Sequence, residues 1–157
     1  KTAPAIPKAV KSFLSDTSSF SPEWSGSILR MLPESVRGAY PLLREHLRIL
    51  SAGICIGEAK GKDFIPAEEL ALSTALRPDA FPVADLDWDD AIRYLKKEAL
   101  LLPAGTEKGY VLVRHKKFPL GFAKHLGNRA NNLYPQEWRI KSSHVPDEAP
   151  AVLTQSV

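Results

Sequence analysis

The sequence predicts an α+β fold, with a small mixed α/β N-terminal part followed by a small β-barrel. Three observations lead there. Between Pro66 and Lys97 two amphipathic segments open on acidic residues, the pattern of short helices whose dipoles favour negative charge at the start. From Leu100 to Ala123, short apolar runs alternate with turns rich in Pro, Gly and Lys, the pattern of closely spaced strands, and such strands favour a barrel. The chain has 157 residues, 44% of them hydrophobic, enough for one good core or two small ones and too apolar for disorder throughout.

Taken in order, Pro4 and Pro7 precede Val10, Phe13 and Leu14, which fit one short helix, and Ser15–Ser19 is a polar loop. Trp24, Ile28, Leu29 and Leu32 recur near helical spacing, but Pro33 would stop a helix and a strand over Ile28–Leu32 fits equally. Pro41 interrupts Ser35–Arg44. Leu47–Glu58, with Ile49, Ile54, Ile56 and internal glycines, suits one or two short strands meeting at Ala52-Gly53. Pro66, Glu68 and Glu69 mark a helix start, and Leu70, Leu72 and Leu76 give it an apolar side. Pro78 and Pro82 lie in the next loop. Asp87–Lys97 is the clearest helix, with Asp87, Asp89 and Asp90 at its start, Ala91, Ile92, Tyr94 and Leu95 inward, and lysines in its last turn. Leu100–Leu102, Tyr110–Val113 and Leu120–Ala123 are expected strands, with Lys116 and Lys117 at an exposed tip after His115. From about Ser142 the periodic apolar content ends, which predicts a mobile tail.

The net charge of +3 is unevenly placed. Glu107–Lys141 holds eight Lys/Arg against two Asp/Glu, 8 − 2 = +6, whereas Asp63–Ala99 holds four against nine, 4 − 9 = −5. The basic end can attract a polyanion, and the acidic part discourages non-specific wrapping. No apolar run is long enough for a membrane helix and no signal-peptide pattern opens the chain, so a soluble intracellular protein is expected. Lys1 stands where a natural start would have Met, so either a longer natural chain or the loss of a leader is also expected. Cys55, the single cysteine, excludes an intrachain disulfide and a multi-cysteine zinc site, and between Ile54 and Ile56 it reads as a core residue rather than a nucleophile.

The segment Gly121–Arg139 and its flanks concentrate the binding chemistry. Lys124, Arg129, Arg139 and Lys141 can neutralise phosphates; His125, Asn128, Asn131 and Asn132 can bond bases or ribose; Tyr134 and Trp138 offer faces for stacking. The competing structural readings are turn and cap roles for the asparagines and core packing for Tyr134 and Trp138, which is favoured for those two rings. His115 and His125 read as surface donors rather than metal ligands, because no second ligand stands at metal-binding spacing. Lys60 and Lys62 sit on a glycine-hinged loop that lacks the spacing of a nucleotide P-loop but can touch a phosphate backbone.

Two stretches, GEAKGKDFIPAEELALS (Gly57–Ser73) and PLGFAKHLGNRANNLYPQEWRI (Pro119–Ile140), resemble the C-terminal region of RsmF-like, Sun-type RNA (cytosine-5) methyltransferases. The similarity runs from about Leu47 to Ser143. It implies a small α+β intervening domain over residues 1–85 and a PUA-like RNA-binding barrel over 86–145, and the loss of apolar periodicity leaves 146–157 as a flexible tail. It also implies RNA, ribosomal in that family, and a catalytic domain in cis as partners, with cytoplasmic localisation and neither membrane nor metal. The family's catalytic domain binds S-adenosylmethionine and uses two cysteines, one after Pro and one after Thr. Cys55 follows Ile54, and no glycine-rich loop opens a βα unit, so no catalytic or cofactor-binding residue carries over and this chain alone is not expected to be an enzyme. The RNA-binding set implied is Lys116, Lys117, Lys124, His125, Asn128, Arg129, Asn132, Tyr134, Arg139 and Lys141, with Lys60 and Lys62. The alternative is an interaction domain that packs on the catalytic domain through Asp87–Lys97 and Trp24–Leu32. A free-standing hydrolase lacks any spacing that nominates a nucleophile, base and orienter.

Overall fold

The computed structural model describes residues 6–150 and divides the chain into two compact units, Lys1–Ala80 and Phe81–Val157. The expected junction at 85/86 would separate Val83–Asp85 from the strand that it pairs with; the division at 80/81 keeps the two together.

The first unit is built on a four-stranded antiparallel sheet in sequential order, β1 (Phe20–Ser25), β2 (Ile28–Pro33), β3 (Ile54–Lys60) and β4 (Asp63–Pro66). Ile28–Leu32, left open between helix and strand, is therefore strand: Leu29, Met31 and Leu32 are buried, and Gly26 with φ +61 opens the tight turn from β1. The turn at Gly53 precedes a single long strand rather than joining two. Helix α1 (Lys8–Lys11) leads Phe13 and Leu14 inward, where Leu14 bridges to Leu76 and the Phe13 carbonyl accepts from the Arg77 amide at 2.8 Å. Pro41 begins helix α2 (Tyr40–His46) instead of breaking one, since its missing N–H costs nothing in a first turn. The helix expected after Pro66 is a single turn, α3 (Glu68–Ala71), in which Leu70 and Ala71 are buried. Glu69 ties this turn to the sheet by accepting from the Cys55 amide at 2.8 Å and from Arg30 at 3.3 Å. Burial pushes the Cys55 thiol above its ordinary pKa, consistent with a packed, protonated side chain.

The second unit has its own four-stranded sheet, β5 (Val83–Asp85), β6 (Gly109–His115), β7 (Phe118–His125) and β8 (Ala130–Asn132). β5 runs parallel to β6 and the remaining pairs are antiparallel. Among the described residues no pair closes β5 onto β8, so the sheet is open. Helix α4 (Trp88–Leu95) covers one face. Asp87 caps it by accepting from the Asp90 amide at 2.9 Å, and Lys97, at φ +65, ends it in the left-handed region. Ala91 and Tyr94 meet Leu86, Leu100, Val113, Ala123 and Ala130 in one core, and the fully buried Tyr94 donates its hydroxyl to the Phe122 carbonyl at 3.0 Å. Leu100 contributes an isolated bridge to Ala130 rather than the expected strand. Residues 142–150 hold neither helix nor strand, and the Pro146 carbonyl accepts from the Trp88 indole N–H at 2.8 Å. Of the expected tail, residues 151–157 lie outside the described residues.

Candidate nucleic-acid interface

The sheet of the second unit sorts the candidate residues by strand position. His115 pairs with Phe118, leaving Lys116 and Lys117 as a two-residue hairpin loop. Both have positive φ, +48 and +72, as a type I′ turn requires. Asn and Gly adopt that conformation with little strain, whereas a left-handed backbone at lysine costs about 1–2 kcal/mol. The two ammonium groups are thus held outward on a strained, exposed tip.

Lys124, His125, Asn128 and Arg129 gather at the other end of β7, on the strand terminus and the turn into β8. The eight-residue strand separates the two groups by roughly 20–25 Å at about 3.4 Å per residue. They are two contact points along one strand, not one patch. Asn128 and Arg129 are exposed; the His125 Nδ1–H donates to the Glu107 carbonyl at 3.0 Å. Lys124 pairs across the sheet with Tyr110 on one side and Asn131 on the other, which puts all three on one face. Its ammonium lies 4.9 Å from the Tyr110 ring centre, a cation–π contact. Tyr110 was not singled out from sequence; its place opposite Lys124 depends on the β6–β7 register.

Asn132 and Tyr134 serve the unit's own structure. Asn132 donates to the Tyr94 and Glu98 carbonyls at 2.8 and 3.1 Å and accepts from the Tyr134 amide at 2.9 Å, so its amide group fastens β8 to the end of α4. The Tyr134 ring meets Tyr94 edge-on, with centres 5.4 Å apart, and packs against the core. Trp138, where the sequence favours core packing, is instead 49% exposed beside Tyr134. Arg139 and Lys141 flank Ile140, whose amide donates to the Leu95 carbonyl at 3.0 Å, and line a polar cleft with Lys96 and Glu98.

His115 is a correction: it is buried rather than a surface donor. Alternation along Val111, Val113 and His115 turns it toward α4, where its Nδ1–H donates to the Leu86 carbonyl at 2.9 Å. Arg114 forms a two-point bond with Asp85 at 2.6 and 2.7 Å, which holds that carboxyl below its usual range and removes Arg114 from the free basic set. Lys60 and Lys62 stand exposed at the β3–β4 hairpin tip of the first unit, around Gly61 with φ +61. Among the described residues, no group of three or more His, Cys, Asp or Glu side chains could hold a metal ion, and no helix is long and apolar enough to cross a membrane.

An open α+β unit that starts at Phe81 and carries basic turns at both ends of its longest strand agrees with the family comparison, in which residues 81–140 match the methyltransferase RsmF PUA domain. The match begins at the residue where the second compact unit begins. Among curated proteins, ribosomal RNA small subunit methyltransferase F of Shewanella pealeana is 32% identical over 92 residues. The alignment takes in 58% of this chain and 18% of that protein, so the chain spans a minor part of its relative. Both findings support an RsmF-like C-terminal region in this chain.

Proposed function

We propose that this chain is the RNA-binding C-terminal portion of an S-adenosylmethionine-dependent rRNA cytosine-5 methyltransferase, and that it positions rRNA for a catalytic domain carried in cis. The observation that carries the reading is the Lys116-Lys117 tip, two cations kept in a strained turn within the segment similar to an RsmF PUA domain. In this role Lys116, Lys117, Lys124, Arg129, Arg139 and Lys141 hold backbone phosphates, and Asn128 with Tyr110 faces ribose or base. Asn132 and Tyr134 fall outside the proposed contact set because their polar and ring contacts are used internally. Lys60 and Lys62 form a further phosphate contact in the first unit. Carbon 5 of a cytosine in folded RNA becomes reachable only when the base is flipped out, and gripping flanking RNA makes that approach effectively intramolecular. The cofactor belongs to the catalytic part, and no residue of this chain is proposed to hold it. Such work belongs to the cytoplasm, and the second unit is a PUA-like, barrel-type sheet that stays open on one side.

RNA affinity measured against salt tests the proposal. Binding should weaken steeply as salt rises, and the slope of log affinity against log salt should fall by about 0.7 for each lysine removed at the tip. Undiminished binding by the Lys116→Glu/Lys117→Glu variant would refute the site. A second reading, an interaction surface for the catalytic domain, has its own observation in the first unit: Leu42, Leu47 and Leu50 are 59%, 60% and 85% exposed in and after α2. Co-purification with a separately expressed catalytic domain, lost when these leucines become Ser, would support it.

A further inference from the structure

The second unit has an apolar groove of about 490 Å³ between α4 and the β6–β7 hairpin, lined by Trp88, Ile92, Leu95, His115, Phe118 and Ile140 and walled on one side by His144–Pro146 and Pro150. Its volume lies in the range of small-ligand sites. One polar atom in it is unaccounted for. The Leu86 carbonyl can only accept, so His115 carries its hydrogen on Nδ1, and in the neutral ring Nε2 is left as an acceptor. Nε2 is buried and has no hydrogen-bond partner, on a side chain 8% exposed. Such an atom calls for an N–H donor.

The groove adjoins a polar cleft of about 430 Å³ through Ile140, which lines both. That cleft holds Lys96, Arg139 and Lys141 against the single acid Glu98, and none of the three cations forms an ion pair with a described residue. Aromatic walls, a buried acceptor and an adjoining cationic cleft together match one chemical unit, a planar heterocycle bearing N–H and linked to a phosphate.

We propose that this groove is a subsite for one unpaired nucleotide of the bound RNA. Its base lies against Trp88 and Phe118 and donates an N–H to His115 Nε2, while its phosphate is held by Lys96, Arg139 and Lys141. Nε2 is shielded from water, so base entry displaces part of the wall made by His144–Pro146 and Pro150, which has neither helix nor strand and is tied to α4 through the Trp88 N–H and the Pro146 carbonyl. Phe118, 57% exposed at the strand start, is available to stack on a base as it enters. This deepens the RNA-binding reading and rests on it.

The test compares the full chain's affinity for three short single-stranded probes: oligouridylate, oligo-3-methyluridylate, in which the base N–H is blocked, and an abasic ribose–phosphate oligomer. Oligouridylate should bind about ten-fold more tightly than the abasic oligomer. Phe118→Ala, at a position 57% exposed and with folding checked by circular dichroism, should abolish that difference, whereas Arg139→Ala should weaken both probes. The His115 Nε2 nitrogen resonance should move with oligouridylate and not with the methylated probe. An apolar fluorescent dye seated in the groove should be displaced by oligouridylate. Equal affinity for base-bearing and abasic oligomers, with dye retained and the His115 resonance unmoved, overturns the subsite while leaving RNA binding intact. That result would also be expected if an apolar protein segment were the true occupant. No binding of any probe at low salt overturns the RNA-binding reading and the subsite with it.

Discussion

Asn132 separates a structural role from RNA contact at one position. Truncation to Ala deletes two hydrogen bonds donated to carbonyls at the end of α4 and one accepted from the Tyr134 amide. At about 1 kcal/mol net for each, the ceiling is about 3 kcal/mol. Two of the orphaned groups recover part of this: the Tyr94 carbonyl keeps the bond from the Lys97 amide, and the Glu98 carbonyl belongs to an exposed residue that water can reach. The expected loss is therefore about 2 kcal/mol. In a unit of this size that lowers the thermal midpoint by about 8–16 °C. Thermal unfolding followed by circular dichroism measures the shift, and RNA affinity is measured well below the lowered midpoint. Asn132→Ala should lose stability and keep its RNA affinity, while Arg129→Ala, on the exposed β7–β8 turn, should do the reverse. An unchanged midpoint with RNA affinity reduced ten-fold would refute the assignment of Asn132 to the fold.

Replacing the strained tip by Asn-Gly, Lys116→Asn with Lys117→Gly, should stabilise the chain by about 1–2 kcal/mol while weakening RNA binding; a midpoint that does not rise would remove the argument from strain. Gly53→Ala should cost about 2 kcal/mol or more in urea unfolding, because a methyl there lies 2.3 Å from the Met31 carbonyl oxygen at φ +64; Gly26→Ala, at φ +61 with open space around it, should cost only about 1 kcal/mol. The Asp85–Arg114 pair lowers the pKa of Asp85 in the folded chain, so its contribution is present above the ordinary value of 3.8 and is lost as pH falls through the lowered folded value. Asp85→Asn should therefore flatten the acid limb of the stability curve below pH 3.8, and a limb as steep as that of the parent chain would remove the pair from the account.

The sequence by itself determined the elements whose signals are local. Asp87 followed by Asp89, Asp90 and an inward stripe of Ala91, Tyr94 and Leu95 specified α4, and Val111, Val113 and Ala123 specified strands, because capping and burial periodicity act within a few residues. The motif Pro119–Ile140 likewise carried its family resemblance in the order of its residues. Short elements were less legible: Ile28–Leu32 became strand because β1 and β3 pair with it on either side, since five residues interrupted by Arg30 have no preference strong enough to outweigh their neighbours. Tertiary structure alone decided the fate of the polar candidates. The sequence placed Lys116, Lys124, Asn132 and Tyr134 in one RNA-binding set, but the β6–β8 registers sent the lysines to opposite ends of β7, and helix packing drew Asn132 and Tyr134 inward. It also buried His115 with one nitrogen unpartnered and brought Ile140 beside α4. Those contacts join residues tens of positions apart, and no local pattern encodes which polar side chain will end facing a carbonyl and which will face solvent.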